Sequence, residues 1–368
     1  MSRVTVGDVE RAIARAFPPE WAEDWDRGGL LAGDPERAVT GVMLALDPTK
    51  RAISAAAERG CNVLVTHHPA FLKAPERLTP GRGSSGVVFS AMDSGVALIN
   101  AHTNLDRAPV AGSLLASALG LKPLQPIERS TMPMTLVTVF VPTASAAAVV
   151  KAMAGSGAGR IGEYERCSFT SAQGHGSFTS PAHGRPFDGV PGEPASASEV
   201  RVEMVAPRNR ARGVVAAARA AHPYEEPLIV AAEVEIARSS ARMGTLCAAA
   251  DGLSLRGLAT LAAGVFHVTP LVWGDPDLSL SRVATATGSA GSLIGDVIAA
   301  GAQALVAGEV RYHDALDAAE NGLAIVELGH DVSEWPLVSL LENAVRSTPG
   351  LDPGAVHVLP AIPGWWTP

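Results

Sequence analysis

The chain has 368 residues, 47% of them hydrophobic and 18% charged, and its 29 Lys and Arg against 37 Asp and Glu leave a formal charge of −8. That apolar content excludes a disordered tail, and the length predicts roughly two to three domains. An acidic balance without a basic run argues against a nucleic-acid partner, because neutralising phosphates takes clustered Lys and Arg.

The start, Met1-Ser2-Arg3-Val4, reaches charge by Asp8 and Glu10 and lacks the apolar core of a secretory signal. Apolar stretches such as 213–221 are too short to cross a bilayer, so a cytoplasmic protein with no membrane contact is expected. Val9, Ile13 and Phe17 recur at helical spacing over 6–17, and Pro18-Pro19 stops that helix. Gly41 to Leu46 reads as a strand, and Asp47-Pro48-Thr49 leads from it into a helix through Ala57. Cys61, Cys167 and Cys247 are far apart and odd in number, which suits reduced, buried small residues better than disulfides or a zinc site. With further apolar runs at 62–65 and 96–101, the alternation predicts a mainly parallel sheet buried on both faces.

After Leu121 the prolines Pro123, Pro126 and Pro133 predict a linker. A strand over 134–141 and a helix over 143–152 follow, then a Gly-, Ser- and Pro-rich stretch, 155–192, with loop and short-hairpin character. A strand at 200–205, a helix at 210–221 and a strand at 228–236 complete a small α+β domain over 131–239, inserted into an α/β domain made of 1–130 and 240–368. From about Met243 the α/β alternation resumes, with strands at 281–286, 304–307 and 323–327 and a helix starting near Leu293. The expected fold class is α/β, with mixed, mainly parallel sheets and flanking helices.

Ligand sites in such sheets lie at the carboxyl ends of strands, and three polar clusters stand there. In Thr66-His67-His68-Pro69 the two rings can share a cavity, serve different metal ions, or be plain loop histidines. In His102-Thr103-Asn104-Leu105-Asp106, Asp106 offers a carboxylate ligand or bridge and His102 a proton carrier, while Asn104 and Asp106 also suit turn hydrogen bonds. In Gly329-His330-Asp331-Val332-Ser333-Glu334, Pro336 fits only a first helical turn, so Ser333 is the predicted N-cap. Glu334 then opens the helix, either complementing its dipole or acting with His330 as a ligand. Together His67, His68, Asp106, His330 and Glu334 exceed the roughly three protein ligands of a catalytic zinc, whereas a two-metal site with a shared carboxylate uses all five. Thr287 to Ser292 lacks the Lys of a phosphate loop and suits tight strand-to-helix packing. Tyr312 and His313 suit a pocket wall or an exposed helix start, and 222–227 suits a structural turn or, as the other reading, ligand sensing.

From Trp25-Asp26 and Gly29-Leu30, through the first two clusters, to Gly329-His330 and Glu334, the chain resembles the dinuclear metal centre hexameric protein family, whose members bear the name GTP cyclohydrolase 1 type 2 homolog. Gly159-Arg160-Ile161-Gly162, Cys167-Ser168-Phe169, Gly174-His175-Gly176-Ser177-Phe178 and His222-Pro223-Tyr224-Glu225-Glu226-Pro227 are similar to the insert of its longer bacterial members, a PII-like, ferredoxin-like domain. The resemblance implies His67, His68, Asp106, His330 and Glu334 as metal ligands, with Glu334 bridging and His102 as the catalytic proton shuttle. It further implies two divalent ions per chain, zinc or iron with manganese or cobalt as alternatives, and a homo-oligomer, a toroidal hexamer built from trimers. The sequence departs from the family at Glu309, where an Asp is usual, and in the Thr287 to Gly291 loop. The expected activity is hydrolysis of a nucleotide or related heterocycle by hydroxide shared between the metals. The alternative is a non-catalytic metal-binding, metal-delivery or ring-shaped scaffold.

Overall fold

The computed structural model describes residues 3–162 and 164–361. Met1 and Ser2, read above as part of a start without a signal core, lie outside the described residues. In chain order come helix α1 (Val6–Ala16), strands β1 (Gly29–Ala32) and β2 (Val42–Ala45), α2 (Lys50–Glu58), β3 (Val63–Thr66), α3 (Gly83–Asp93), β4 (Ala97–Asn100), α4 (Thr103–Asp106) and α5 (Leu114–Ala118). Next are β5 (Lys122–Pro142), α6 (Ala146–Gly155), β6 (Phe169–Thr170), β7 (Gly174–Thr179), β8 (Pro194–Pro207), α7 (Ala211–Ala221) and β9 (Ile229–Ala248). The chain ends with α8 (Leu255–Phe266), β10 (Leu271–Trp273), β11 (Arg282–Thr285), α9 (Ile294–Ala299), β12 (Ala304–Ala307), α10 (Tyr312–Glu320), β13 (Ala324–Glu327), α11 (His330–Glu334), α12 (Leu337–Arg346) and β14 (Val356–Val358). The architecture is mixed α/β with flanking helices, and no helix among the described residues is long and apolar enough to cross a membrane.

The chain forms two compact units, one from Met1–Ser130 with Ser240–Pro368 and the other from Thr131–Ser239. The predicted proline linker is corrected: its residues belong to β5. Proline's fixed φ suits extended backbone, so it removes a ladder donor without turning the chain. Strand β9 likewise continues beyond 236 to Ala248, past Ala, Arg and Ser that interrupt the apolar alternation without breaking the extension.

In the first unit, one sheet has the order β1-β4-β3-β2-β14, with β2, β3, β4 and β14 parallel and β1 antiparallel to β4. Side chains alternate across it. Val42, Leu44, Val63 and Val65 pack with Val9 of α1 and Leu341 of α12, while Met43, Leu64 and Leu98 pack with Ile53 of α2 and Val88 of α3. The same unit repeats the β1-β4-β3-β2 part of this order as β10-β13-β12-β11, three parallel strands with an antiparallel edge strand, and β9 runs antiparallel to β11.

The repetition reaches single residues. Gly33-Asp34-Pro35 follows β1 and Gly274-Asp275-Pro276 follows β10. Gly33 has φ 125° and Gly274 has φ 135°. A Cβ on either would meet the Cβ of the facing strand's first alanine, 2.6 Å from Ala97 or 2.8 Å from Ala324. The Pro35 carbonyl accepts from Gly7 N–H of α1 at 2.8 Å, and the Pro276 carbonyl accepts from Arg256 N–H of α8 at 2.9 Å. Each half thus fastens its edge strand to the preceding helix by the same turn.

The second unit pairs β5 antiparallel to β8, with β6 and β7 also antiparallel to β8. Val137, Val139, Val141, Val202 and Met204 form its core with Val149 and Met153 of α6 and Val214 of α7. Replacing Gly274 by Val combines positive-φ strain with overpacking and should destabilise the protein by roughly 2–4 kcal/mol. Gly213 lies on the exposed side of α7 with open space where a Cβ would go, so Gly213→Ala should stabilise it by about 0.5–1 kcal/mol. Denaturant midpoints of the two variants read both signs.

Candidate metal centre

The two halves of the first unit bring their strand ends together. His67 and His68 directly follow β3, Asp106 closes α4 just beyond β4, and His330 and Glu334 lie on α11 just beyond β13. Three sets of side chains each place their ligand atoms within 4.8 Å of one another: His67, Asp106 and Glu334; His68, His330 and Glu334; and His67, His68 and His102. All five residues read as ligands, and the proposed proton carrier His102, are therefore neighbours.

The imidazoles share one arrangement. His67 is fully buried, and its Nδ1 donates to the Ala101 carbonyl at 3.0 Å. His68 Nδ1 lies 2.8 Å from Asp47, His102 Nδ1 2.8 Å from Asp26, and His330 Nδ1 3.2 Å from Glu309. An oxygen at Nδ1 keeps a proton there and turns Nε2 inward as the nitrogen that takes up either a second proton or a metal ion. His67 Nε2 is 3.7 Å and His330 Nε2 3.1 Å from Glu334 Oε1, and His68 Nε2 is 2.9 Å from Oε2. His67 Nε2 and Glu334 Oε2 are nonetheless buried without a hydrogen bond. Nitrogen and carboxylate atoms that converge in this way, with the buried His67 Nε2 left without a partner, can share a common cation.

The electrostatics agree. Burial alone would raise the Glu334 carboxyl, but the three imidazoles hold it well below the usual carboxylate range. Burial would lower His68, yet Asp47 and Glu334 outweigh it and push the imidazole up to about 10. Glu334 likewise raises His330 to about 9, with burial opposing. The Asp106 carboxyl is raised, chiefly by burial, and it accepts from Thr287 Oγ1 at 3.1 Å. The pocket calls for positive charge, and protons or a metal ion can supply it.

Two expectations are corrected here. Ser333 is not an N-cap: α11 starts at His330, and Pro336 instead caps α12. Ser333 is buried, its hydroxyl donating to the His330 carbonyl and accepting from Gly288 N–H, each at 2.9 Å. Glu334 closes a short helix rather than opening one, so complementing an N-terminal dipole is not its role; Trp335-Pro336 separate it from α12, the helix it was expected to open. The Thr287 to Ser292 loop is also more than packing. Gly288 has φ 59°, and a Cβ there would lie 2.2 Å from Glu334 Oε1, so the carboxylate occupies the place of a side chain. Tyr312 starts α10, exposed and against Trp273, and the 222–227 segment is the expected turn, with His222 Nε2 donating to the Phe140 carbonyl at 2.8 Å.

Asp26, outside every cluster singled out for chemistry, proves central. Its carboxylate accepts from Arg27 N–H at 2.6 Å, from Thr103 N–H at 2.9 Å and from Thr103 Oγ1 at 2.5 Å, besides holding His102. Trp25 beside it stands edge-on to His102 at 5.9 Å and is 55% exposed. A loop before β1 supplies both, so no strand end marked them in the sequence.

The family model Duf34/NIF3 (NGG1p interacting factor 3) matches residues 4–357. The chain belongs to this family. Among its relatives, a Mycobacterium tuberculosis protein named GTP cyclohydrolase 1 type 2 homolog is 32% identical over 358 residues, covering 94% of this chain and 92% of the relative. A Bacillus subtilis protein of the same name is 30% identical over 316 residues, covering 85% and 84%. The crystal structure of a Bacillus cereus protein related to NIF3 superimposes over the whole of both chains, with TM-score 0.65 and 28% identity.

Burial raises the Asp26 carboxyl, but the hydrogen bond and charge of His102, with Thr103 and Arg27, outweigh it and hold it at about 2 against an ordinary 3.8. A depressed folded pKa gives stability above the unfolded value that is lost as pH falls through the folded one. Asp26→Asn should therefore flatten the acid-unfolding curve of this Duf34/NIF3 protein between about pH 4 and 2, as followed by circular dichroism.

Proposed function

We propose that this Duf34/NIF3 protein binds two divalent ions and hydrolyses a nucleotide or related heterocycle. One observation carries the metal reading: two three-residue donor sets, His67 with Asp106 and His68 with His330, share the single carboxylate Glu334. The donor chemistry fits, since nitrogen and carboxylate ligands without sulfur suit zinc, iron, manganese or cobalt. The buried His67 Nε2, which has no hydrogen-bond partner, fits as well. Divalent ions bound there would lower the pKa of a water molecule and polarise a substrate oxygen.

The chain's own residues supply the rest. Asp26 fixes the His102 ring and its tautomer, leaving Nε2 as the base that accepts a proton during hydrolysis. Trp25 offers an exposed aromatic face next to His102, against which a planar heterocycle can lie. Gly288 keeps open the space that the Glu334 carboxylate fills. The relatives' name supports GTP as the first substrate to try.

The test loads the protein separately with zinc, iron and manganese, counts ions per chain by elemental analysis, and assays formate release from GTP. Two ions per chain are expected. Asp106→Asn should lose one of them and abolish turnover, and Gly288→Ala should weaken loading by about 10–100-fold. A single ion per chain, or turnover untouched in Asp106→Asn, overturns the proposal. Full loading without turnover overturns the GTP hydrolysis and leaves a metal-binding scaffold.

A further inference from the structure

Two sequence motifs that the metal centre does not use, Gly174 to Phe178 and His222 to Pro227, meet in the second unit. They line a cavity of about 1030 Å³, at the upper end of what small-molecule sites enclose. Its wall is aromatic: the Phe178 and Phe187 rings lie 6.3 and 6.1 Å from the ring of Tyr224. His222 accepts from Tyr224 N–H at 3.0 Å and packs edge-on against its ring, which fixes Tyr224 from behind. The segment carrying Phe187 is fastened across the same turn by Arg185 N–H, which donates to Glu225 at 2.9 Å.

The polar atoms of this cavity are unusual. Among the described residues of the second unit, the buried side-chain polar atoms without a hydrogen bond are Ser180 Oγ and Tyr224 Oη, and both residues line it. Such groups are costly unless a partner satisfies them. Glu199 stands beside Tyr224. A Cβ on Gly176 would lie 2.2 Å from Glu199 Oε2, so a bare glycine is what lets this carboxylate lie along the wall. Burial, and then the nearby Glu199 carboxylate, push the Tyr224 phenol up, so the phenol stays a donor at neutral pH. The rim carries Arg185 and Arg201 but also Glu225 and Glu226, so net charge does not select the ligand.

A hydroxyl donor beside a carboxylate acceptor, on an aromatic wall, matches a ring whose carbonyl adjoins an N–H. We propose that this cavity binds a planar cyclic-amide heterocycle, its ring on Phe187 and Tyr224, its carbonyl accepting from Tyr224 Oη and its N–H donating to Glu199. The site lies wholly within the second unit and is independent of the metal reading.

Calorimetry on the full chain with uridine and guanosine tests it, with 3-methyluridine and 1-methylguanosine as partners that lack the ring N–H. Saturable binding of one nucleoside per chain is expected, about tenfold or more weaker for the methylated rings. Tyr224→Phe keeps the ring packing and removes only the hydroxyl, and it should weaken binding about five- to tenfold. Gly176→Val, which displaces Glu199, should abolish it. Failure of both nucleosides to bind, equal affinity for the methylated rings, or unchanged binding in Tyr224→Phe each overturns the inference. The methylated-ring comparison uses the unaltered chain, so it decides even where a variant does not fold.

Discussion

The Glu334 carboxylate is 3% exposed and has three imidazole nitrogens within 3.7 Å. Placing it there imposes conditions on the rest of the first unit. A buried charge must be matched and its remaining lone pairs satisfied, which requires the histidines of two different strand ends at one point. It also requires an approach route, and the bare Cα of Gly288 provides it. Ser333, one residue earlier, ties α11 to that same glycine through its hydroxyl, so the helix carrying Glu334 and the loop admitting it are positioned together.

The repeated half-sheet explains how strand ends so far apart in sequence come to face one another. Each half is a parallel ribbon, of four strands in the first and three in the second, with an antiparallel edge strand closed by a Gly-Asp-Pro turn against its own helix. The candidate ligand residues follow β3 and β4 in one half and β13 in the other, the position equivalent to β4. The halves have diverged in what they offer. The first supplies an adjacent histidine pair and Asp106 on a short helix, and the second supplies His330 and Glu334 four residues apart on one helix face, spacing that brings both to the same side.

Much of this was legible in the chain. The strands at 62–65, 96–101, 304–307 and 323–327 stood out as short apolar runs, and each polar cluster stood where the run stopped. What the sequence reading missed shares a physical cause: these features depend on contacts at long range. Asp26 lies in a loop and gains its role only because Thr103 and His102, seventy-odd residues later, fold onto it. Ser333 looked like a cap because Pro336 favours a first turn, but that proline starts a second helix instead. Pro123, Pro126 and Pro133 read as punctuation, yet extended backbone accommodates proline's φ. The Gly-Asp-Pro pair went unread in the sequence, because its meaning rests on the close approach to Ala97 and Ala324, which no local pattern shows.

The division of labour at the imidazoles follows from the same geometry. His67 gives its Nδ1 proton to a backbone carbonyl, whereas His68, His102 and His330 give theirs to carboxylates. A carbonyl orients a ring without adding charge, but a carboxylate also makes the far nitrogen more basic. The fully buried His67 ring, where a further buried anion would be hardest to match, has the neutral anchor, and the less buried rings have the charged ones, of which the buried Asp26 is matched by further bonds from Thr103 and Arg27. Glu309 is one of these carboxylate anchors: it lies 3.2 Å from His330 Nδ1 and so orients that ring from outside the inner donor set.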